Sequence, residues 1–244
     1  MTNTSPLLEN PVGHHAMVLA AGLGLRMRPL TDHTPKPLIK VSGRALIDYG
    51  FDHLREAEVQ TVVVNAHYLA DQIVTWIQQQ AAPEIILSDE RDVVLDTGGG
   101  IAKALPLLGK DPFFVLNSDS FWIDGKIPAL QRLKTAWNDT EMDCLLLLCP
   151  LEKTVGYDGH GDFLLASDGR LARQKGAGAL AYIGGYLVHP RLFKDMPVGK
   201  FSMNVLWDRA IAKGRLYGIS HDGMWLHVGT PEAVGLAEAA LARS

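Results

Sequence analysis

The chain is poor in cysteine: its 244 residues include two, Cys144 and Cys149. They stand five positions apart in an apolar run of strand length, and an odd separation places side chains on opposite faces of a strand. We therefore expect neither a disulfide nor a shared metal site between them. Two buried free thiols are predicted instead, a use of cysteine that is typical of the cytoplasm.

The sequence also lacks a long apolar run, a signal core and a surplus of positive charge. Its longest apolar run, residues 144–149, is far shorter than the roughly 20 residues that span a bilayer. The polar, proline-containing start predicts a flexible tail over residues 1–15. The formal net charge of −4 leaves no basic excess to release counterions. We therefore expect neither a membrane nor a nucleic-acid partner.

Two well-known phosphate-binding loops are missing as well. A dinucleotide fingerprint needs a third glycine after Gly22 and Gly24, and Met27 stands there. A P-loop needs Ser or Thr after a Gly-Lys pair, and no Gly-Lys pair of this chain has one. These absences argue against a nicotinamide oxidoreductase and a P-loop enzyme.

A different glycine-containing stretch occupies residues 16–37. It begins as an apolar strand, breaks at Gly22 and Gly24, and then carries Arg26, Arg28 and Lys36. Glycine allows the tight turns that point successive N–H groups into one anion-binding concavity. We interpret the stretch as a phosphate-binding loop after the first strand of an α/β sheet.

Apolar runs and helical patterns alternate along the rest of the chain. Strands are predicted over residues 16–20, 61–65, 84–87, 112–116, 143–149, 181–188, 215–219 and 224–228, with short ones near 161–165 and 171. Helices are predicted over residues 45–57, 69–77, 97–105, 127–137, 202–213 and 231–242. This alternation predicts an α/β domain with a mostly parallel sheet covered by helices on both faces.

The motif Leu-Ala-Ala-Gly-x-Gly-x-Arg-Met-x-Pro-Leu-Thr, followed by Pro-Lys-Pro-Leu, resembles the signature of the sugar-1-phosphate nucleotidyltransferases. The resemblance extends over residues 17–232. It implies a single-domain, three-layer, Rossmann-like fold with a mixed, mostly parallel sheet. It also implies that a nucleoside triphosphate and a sugar 1-phosphate give a nucleoside-diphosphate sugar and pyrophosphate. The domain would cover residues 16–244, with nucleotide bound by residues 16–120 and sugar phosphate by residues 121–244.

The resemblance assigns the chemistry of the loop. Arg26 would bind the triphosphate and stabilise the departing pyrophosphate, and Lys36 would lie between the α-phosphate and the sugar phosphate. Because Lys36 stands between two prolines, local chain stiffness would fix its direction. The other nucleotide-binding candidates of the loop are Leu19, Ala20, Ala21, Gly22 and Gly24.

Asp119 follows a predicted strand, and ligands of open α/β sheets bind at the carboxyl ends of strands. A carboxylate there suits Mg²⁺, and the family binds its metal through an aspartate at this position. Residues 96–101 predict a second glycine turn leading into a helix. Thr97, Gly98 and Gly99 would present bare backbone to the base and sugar of the nucleotide.

His227 is the point where the sequence departs from the family, which has a second metal-binding aspartate in its Trp-x-Asp-x-Gly-Thr-Pro motif. Neutral imidazole suits Mn²⁺ better than Mg²⁺. His227 could bind the metal or contact a phosphate as a cation. Alternatively, Asp119, substrate and water hold the metal alone, and His227 belongs to the core.

The candidates for sugar binding are Asp158, Gly159, Asn204 and Trp225, of which Trp225 is assigned by the resemblance. Within the family, the sequence is most similar to the branch that uses UTP and N-acetylmuramic acid 1-phosphate, in peptidoglycan recycling. Guanylyl transfer to mannose or heptose 1-phosphate is the alternative, followed by a regulatory protein without catalysis. The oligomeric state is left open between a monomer and a small homo-oligomer.

Overall fold

The computed structural model describes residues 12–243, which form fourteen strands and six α-helices. The strands are β1 (His15–Leu19), β2 (Lys40–Val41), β3 (Arg44–Ala45), β4 (Thr61–Ala66), β5 (Glu84–Asp89), β6 (Phe113–Asn117), β7 (Ser120–Ile123), β8 (Cys144–Cys149), β9 (Thr154–Val155), β10 (Phe163–Leu165), β11 (Leu171–Arg173), β12 (Ala181–Val188), β13 (Leu216–Ser220) and β14 (Met224–His227). The helices are α1 (Leu46–Glu56), α2 (Ala70–Gln78), α3 (Asp96–Leu108), α4 (Ala129–Ala136), α5 (Met203–Ala212) and α6 (Pro231–Leu241).

A central sheet has the strand order β13-β8-β12-β6-β1-β4-β5. The pairs β13–β8, β6–β1, β1–β4 and β4–β5 are parallel, and β12 is antiparallel to both of its neighbours. The prediction of a mixed, mostly parallel sheet is therefore confirmed. Within this sheet, the strands of the predicted first half (β6, β1, β4 and β5) lie on one side and those of the second half (β13, β8 and β12) on the other, and the halves meet at the β12–β6 pair. The boundary between the halves at residue 120 falls inside β7.

Helices cover both faces of this sheet. The apolar residues of α1, α2 and α4 pack against one face, and those of α3 and α5 against the other. The cysteines follow the same division, since Cys149 belongs to the first core cluster and Cys144 to the second. Both are buried free thiols on opposite faces of β8, as the sequence predicted.

Smaller strand groups were not all predicted. β14 pairs with β7 in antiparallel register and with β9 in parallel register, and β2 forms a short hairpin with β3. Part of the predicted tail also belongs to the folded domain. Gly13 is buried and donates its N–H to the Pro112 carbonyl at 2.8 Å, so the predicted tail is wrong for residues 12–15. Residues 1–11 of that tail lie outside the described residues.

Across residues 12–243, no helix has the length and apolar character needed to cross a bilayer.

Candidate active site

A cleft of about 470 Å³ opens at the carboxyl ends of β1 and β6. The two strands end side by side, with Leu19 in register with Asn117. Chain segments that follow these strands therefore converge on the same edge of the sheet. The lining residues are Leu19, Ala21, Gly22, Leu23, Gly24, Leu25, Arg26, Met27, Lys36, Pro37, Asn65, Glu90, Val94, Asp96, Thr97, Asn117, Ser118, Asp119, Lys200 and Gly229.

The loop after β1 folds tightly against its own continuation. Gly24 has φ +64°, and a Cβ there would lie 2.9 Å from the Thr31 side chain, so only glycine fits. Thr31 in turn donates its hydroxyl to the Gly24 carbonyl at 2.8 Å. Arg26 follows in a short 3₁₀ helix, Leu25–Met27, whose Met27 is buried. This anchoring leaves the Arg26 side chain exposed to the cleft.

Lys36 and Asp119 form an ion pair across the cleft. Lys36 lies in the 3₁₀ helix Lys36–Leu38, and its Nζ is 3.0 Å from Oδ2 of Asp119. Lys36 is only 8% exposed, so its ammonium is held close to the carboxylate with little competing water. Burial alone would raise the pKa of Asp119, but the charge and hydrogen bond of Lys36, together with His227 and Arg26, lower it below its usual value. Asp119 is thus an anion at neutral pH.

His227 approaches the same carboxylate from β14, where it is in register with Ser120, the residue after Asp119. Its ring packs edge-on to Tyr157, with centroids 6.1 Å apart. Burial lowers the pKa of His227, and the charge of Asp119 only partly offsets this. His227 is therefore a neutral imidazole at pH 7. Within residues 12–243, its buried Nδ1 has no hydrogen-bond partner.

A buried carboxyl group, Glu90, forms part of the cleft and was not predicted from the sequence. Asn65 connects it to the loop: Ala20 N–H donates to Asn65 Oδ1 at 2.7 Å, and Asn65 Nδ2 donates to Glu90 Oε1 at 2.7 Å. Burial raises the pKa of Glu90, although the Asn65 hydrogen bond partly offsets this. In the sequence, Asn65 and Glu90 are ordinary polar residues at strand ends, and only the fold brings them together.

Because the pKa of Glu90 is raised in the folded protein, the free energy of unfolding should depend on pH through this residue. The unfolded chain releases this proton near pH 4.3, earlier than the folded protein does. The contribution of Glu90 to stability is therefore fully present below that pH and declines as the pH rises through the folded pKa. The free energy of unfolding of Glu90→Gln in urea, taken relative to that of wild type, should therefore increase as the pH rises from 4.5 to 7.5. The exposed control Glu152→Gln should show no such change, and a constant difference for Glu90→Gln would contradict the assignment.

The helix predicted over residues 97–105 is confirmed by α3, whereas the glycine turn predicted at residues 96–101 is already helical. Asp96 begins helix α3, so Gly98 and Gly99 already lie in its first turn. Both of their N–H groups donate to the Phe201 carbonyl, and a Cβ on Gly98 would lie 2.4 Å from the Phe201 ring. These glycines permit close packing against residues 199–201. Thr97 lines the cleft, whereas Gly98 and Gly99 are buried beneath that segment.

The predicted sugar-binding residues do not all reach one pocket. Asn204 lines a second cavity that adjoins the cleft. Asp158 and Gly159 lie on the loop after β9, and the charge of Asp158 acts on His227. Trp225 is 3% exposed, packs in the core and lines neither cavity, so its sugar contact stays a prediction from the resemblance.

The cleft also contains polar groups that sequence reasoning left without a role. Ser118 donates its hydroxyl to the Leu19 carbonyl at 2.6 Å and so connects the end of β1 to the segment carrying Asp119. Asn117 and Lys200 line the cleft as well. The position of Asn117 after an apolar strand was a usable signal, but Lys200 comes from a distant loop with no local pattern.

Comparison with known proteins agrees with this geometry. A family model described as nucleotidyl transferase matches residues 15–157. The N-acetylmuramate alpha-1-phosphate uridylyltransferase of Caulobacter vibrioides is 46% identical over 236 residues, which cover 94% of this chain and 97% of that protein. The protein of the same name from Neisseria meningitidis is 34% identical over 219 residues, covering 88% of this chain and 93% of its own.

Among solved structures, a UDP-glucose pyrophosphorylase complexed with UDP-glucose is similar in fold. The TM-score is 0.76 at 16% identity, and the match covers 95% of this chain and 99% of the other. The sheet topology, the loop that carries Arg26 and Lys36, and the matching family model lead to one assignment. The chain belongs to the nucleotidyl transferase family and has its α/β fold.

Proposed function

We propose that this chain transfers a uridylyl group from UTP to N-acetylmuramic acid 1-phosphate, releasing pyrophosphate. The observation that carries the proposal is the convergence of Arg26, Lys36 and Asp119 on one cleft. The choice of base and sugar rests on the relatives named for this activity, at 46% and 34% identity over most of the chain.

The reaction needs charge neutralisation and positioning more than it needs a protein nucleophile. The phosphate of the sugar 1-phosphate attacks the α-phosphorus in line, and pyrophosphate leaves. The loop that carries Gly22 and Gly24 receives the triphosphate, together with Leu19, Ala20 and Ala21. Arg26 stabilises the charge that develops on pyrophosphate, and Lys36 orients the attacking phosphate beside the α-phosphate.

The donor set at Asp119 fits a divalent cation. One Asp119 oxygen contacts Lys36, and the neutral His227 presents a buried Nδ1 that no described residue partners. Asp119, with His227 as the second protein ligand, would hold Mg²⁺ or Mn²⁺ together with substrate phosphates. When bound, the ion withdraws charge from the α-phosphate and makes it more electrophilic.

The proposed nucleotide contacts extend to Thr97, which lines the cleft at the start of α3. For Gly98 and Gly99, the supported role is to bring residues 199–201 close to that site. Asn204, Asp158 and Gly159 remain the proposed sugar contacts. A cytoplasmic location and a monomeric or small homo-oligomeric state stay predictions from the sequence.

A substrate matrix tests the proposal. The purified protein is incubated with each of UTP, GTP, CTP, ATP and dTTP against the 1-phosphates of N-acetylmuramic acid, N-acetylglucosamine, mannose and glucose. Pyrophosphate release with Mg²⁺ is measured. We expect the highest kcat/KM for UTP with N-acetylmuramic acid 1-phosphate. A preference for GTP with mannose 1-phosphate would replace the proposed substrates, and no turnover with any pair would reject the enzymatic function.

Metal preference offers a second prediction. Replacing His227 with aspartate exchanges a nitrogen ligand for an oxygen ligand, and oxygen suits Mg²⁺ better. We expect His227→Asp to raise the ratio of the Mg²⁺-supported rate to the Mn²⁺-supported rate by about tenfold. The exposed His33 provides a matched control, and His33→Asp should leave the ratio unchanged. An unchanged ratio in His227→Asp would count against ligation by His227.

A further inference from the structure

A second cavity, of about 210 Å³, adjoins the cleft. The two share Leu19, Asp96, Thr97 and Asn117, so a ligand in the cleft can extend into the cavity without leaving the protein surface. The rest of the lining is a mixture of aromatic and polar side chains: Asp162, Phe163, Arg173, Tyr182, Tyr186, Ser202, Met203, Asn204 and Trp207. Aromatic walls with a few polar groups are the usual composition of a small-molecule site.

Two residues of this lining have a buried polar atom without a hydrogen-bond partner among residues 12–243: the Tyr186 hydroxyl and Trp207 Nε1. Tyr186 is 1% exposed, and its hydroxyl makes no hydrogen bond within residues 12–243. An unpartnered buried hydroxyl costs free energy unless a ligand or water supplies the missing bond. The Tyr186 hydroxyl can therefore form a hydrogen bond with a polar ligand in this cavity.

Arg173 carries the positive charge of this lining. Its guanidinium lies 4.6 Å from the Phe163 ring centroid and 5.9 Å from that of Trp207. Nε donates to Asp208 and Nη2 donates to Asn204, both at 2.8 Å. These contacts fix the plane of the guanidinium, and within residues 12–243 no hydrogen bond engages Nη1.

The ion pair with Asp208 does not cancel the charge of Arg173. The Asp208 side chain is 61% exposed, so water screens its attraction for the guanidinium. The lining also contains two carboxylates, and neither pairs with Arg173: Asp162 accepts the Tyr182 N–H at 2.9 Å, and Asp96 accepts the Thr97 N–H at 2.6 Å. Arg173 therefore has a fixed orientation and a nitrogen available to a further anion.

We infer that this cavity receives the substituent of the sugar 1-phosphate and that Arg173 selects a substituent bearing a carboxylate. The inference rests on the proposed function and identifies the carboxylate as the substrate group that this cavity recognises. N-acetylmuramic acid differs from N-acetylglucosamine only by a lactyl ether, which carries a carboxylate. Guanidinium groups bind carboxylates in charge-assisted hydrogen bonds, and a site built for such a group disfavours the analogue that lacks it.

The test compares kcat/KM for the two 1-phosphates with UTP in wild type, Arg173→Met and Arg173→Lys. Wild type should prefer N-acetylmuramic acid 1-phosphate. Arg173→Met should lose at least about tenfold in kcat/KM for that substrate, through KM, while its kcat/KM for N-acetylglucosamine 1-phosphate and its KM for UTP change less than about threefold. Arg173→Lys, which keeps the charge, should retain part of the preference.

Arg170 is the matched control, because it precedes β11 on the same hairpin and pairs with exposed Asp168 outside the cavity. Arg170→Met should retain the wild-type preference. If Arg173→Met lowers kcat/KM equally for both sugars, or changes neither, selection by Arg173 is overturned. If wild type is active on a different sugar 1-phosphate and inactive on that of N-acetylmuramic acid, the proposed substrate itself has failed, which is a separate result.

Discussion

Replacing Asp119 with asparagine is expected to lower kcat by about 10³-fold or more. The substitution keeps the size of the side chain and removes its charge. It eliminates the ion pair with Lys36 at 3.0 Å and the proposed carboxylate ligand of the metal together. Because the Lys36 charge lowers the pKa of Asp119, the wild-type group is ionised at every pH where the assay runs, and no pH within that range should mimic the variant.

The measurement is steady-state pyrophosphate release at saturating UTP and sugar 1-phosphate, with the far-UV circular dichroism melt recorded on the same samples. Asp168→Asn is the control, because Asp168 also forms an ion pair with a basic side chain, Arg170, but lies on an exposed hairpin. It should retain wild-type kcat. A kcat within about tenfold of wild type in folded Asp119→Asn would remove Asp119 from the reaction centre.

Long buried strands are the part of this fold that the sequence predicts best. The predicted strand over residues 181–188 coincides with β12, and the two cysteines of β8 lie on the faces that their spacing requires. A strand covered on both faces needs a continuous apolar run, and such a run is visible locally. β7 was missed because its pairing with β14 joins segments about a hundred residues apart, and its four residues carry no period of their own.

The glycines of α3 show why a correct motif can give a wrong local structure. Three glycines in a row predict a turn from local conformational freedom. Here the deciding contact is long-range, because the carbonyl of Gly199 and the ring of Phe201 occupy the space that Cβ atoms on Gly99 and Gly98 would fill. The sequence marks the need for small residues, but only the fold shows which segment approaches them.

The residues of the candidate site also divide into those with a local sequence signal and those that depend on long-range contacts. Arg26, Lys36 and Asp119 could be named from the sequence because each stands in a motif at a strand end or in a stiff loop. Glu90 and Arg173 could not, since their importance arises from neighbours far along the chain. Glu90 is connected to the first loop through hydrogen bonds of Asn65. Arg173, on β11, donates a hydrogen bond to Asn204 on α5.

Replacing Lys36 with methionine should lower kcat by about 10²–10³-fold while changing KM for UTP much less, because Arg26 and the loop amides still hold the triphosphate. Methionine fills a similar volume without the charge, and the flanking Pro35 and Pro37 hold the backbone in place. Lys40→Met, at an exposed position on β2, is the control and should match wild type. If KM for UTP rises in proportion while kcat is kept, Lys36 binds the nucleotide without acting on the transferring phosphate. Loss confined to kcat places its charge at the reacting phosphates, where the 3.0 Å contact with Asp119 already positions it.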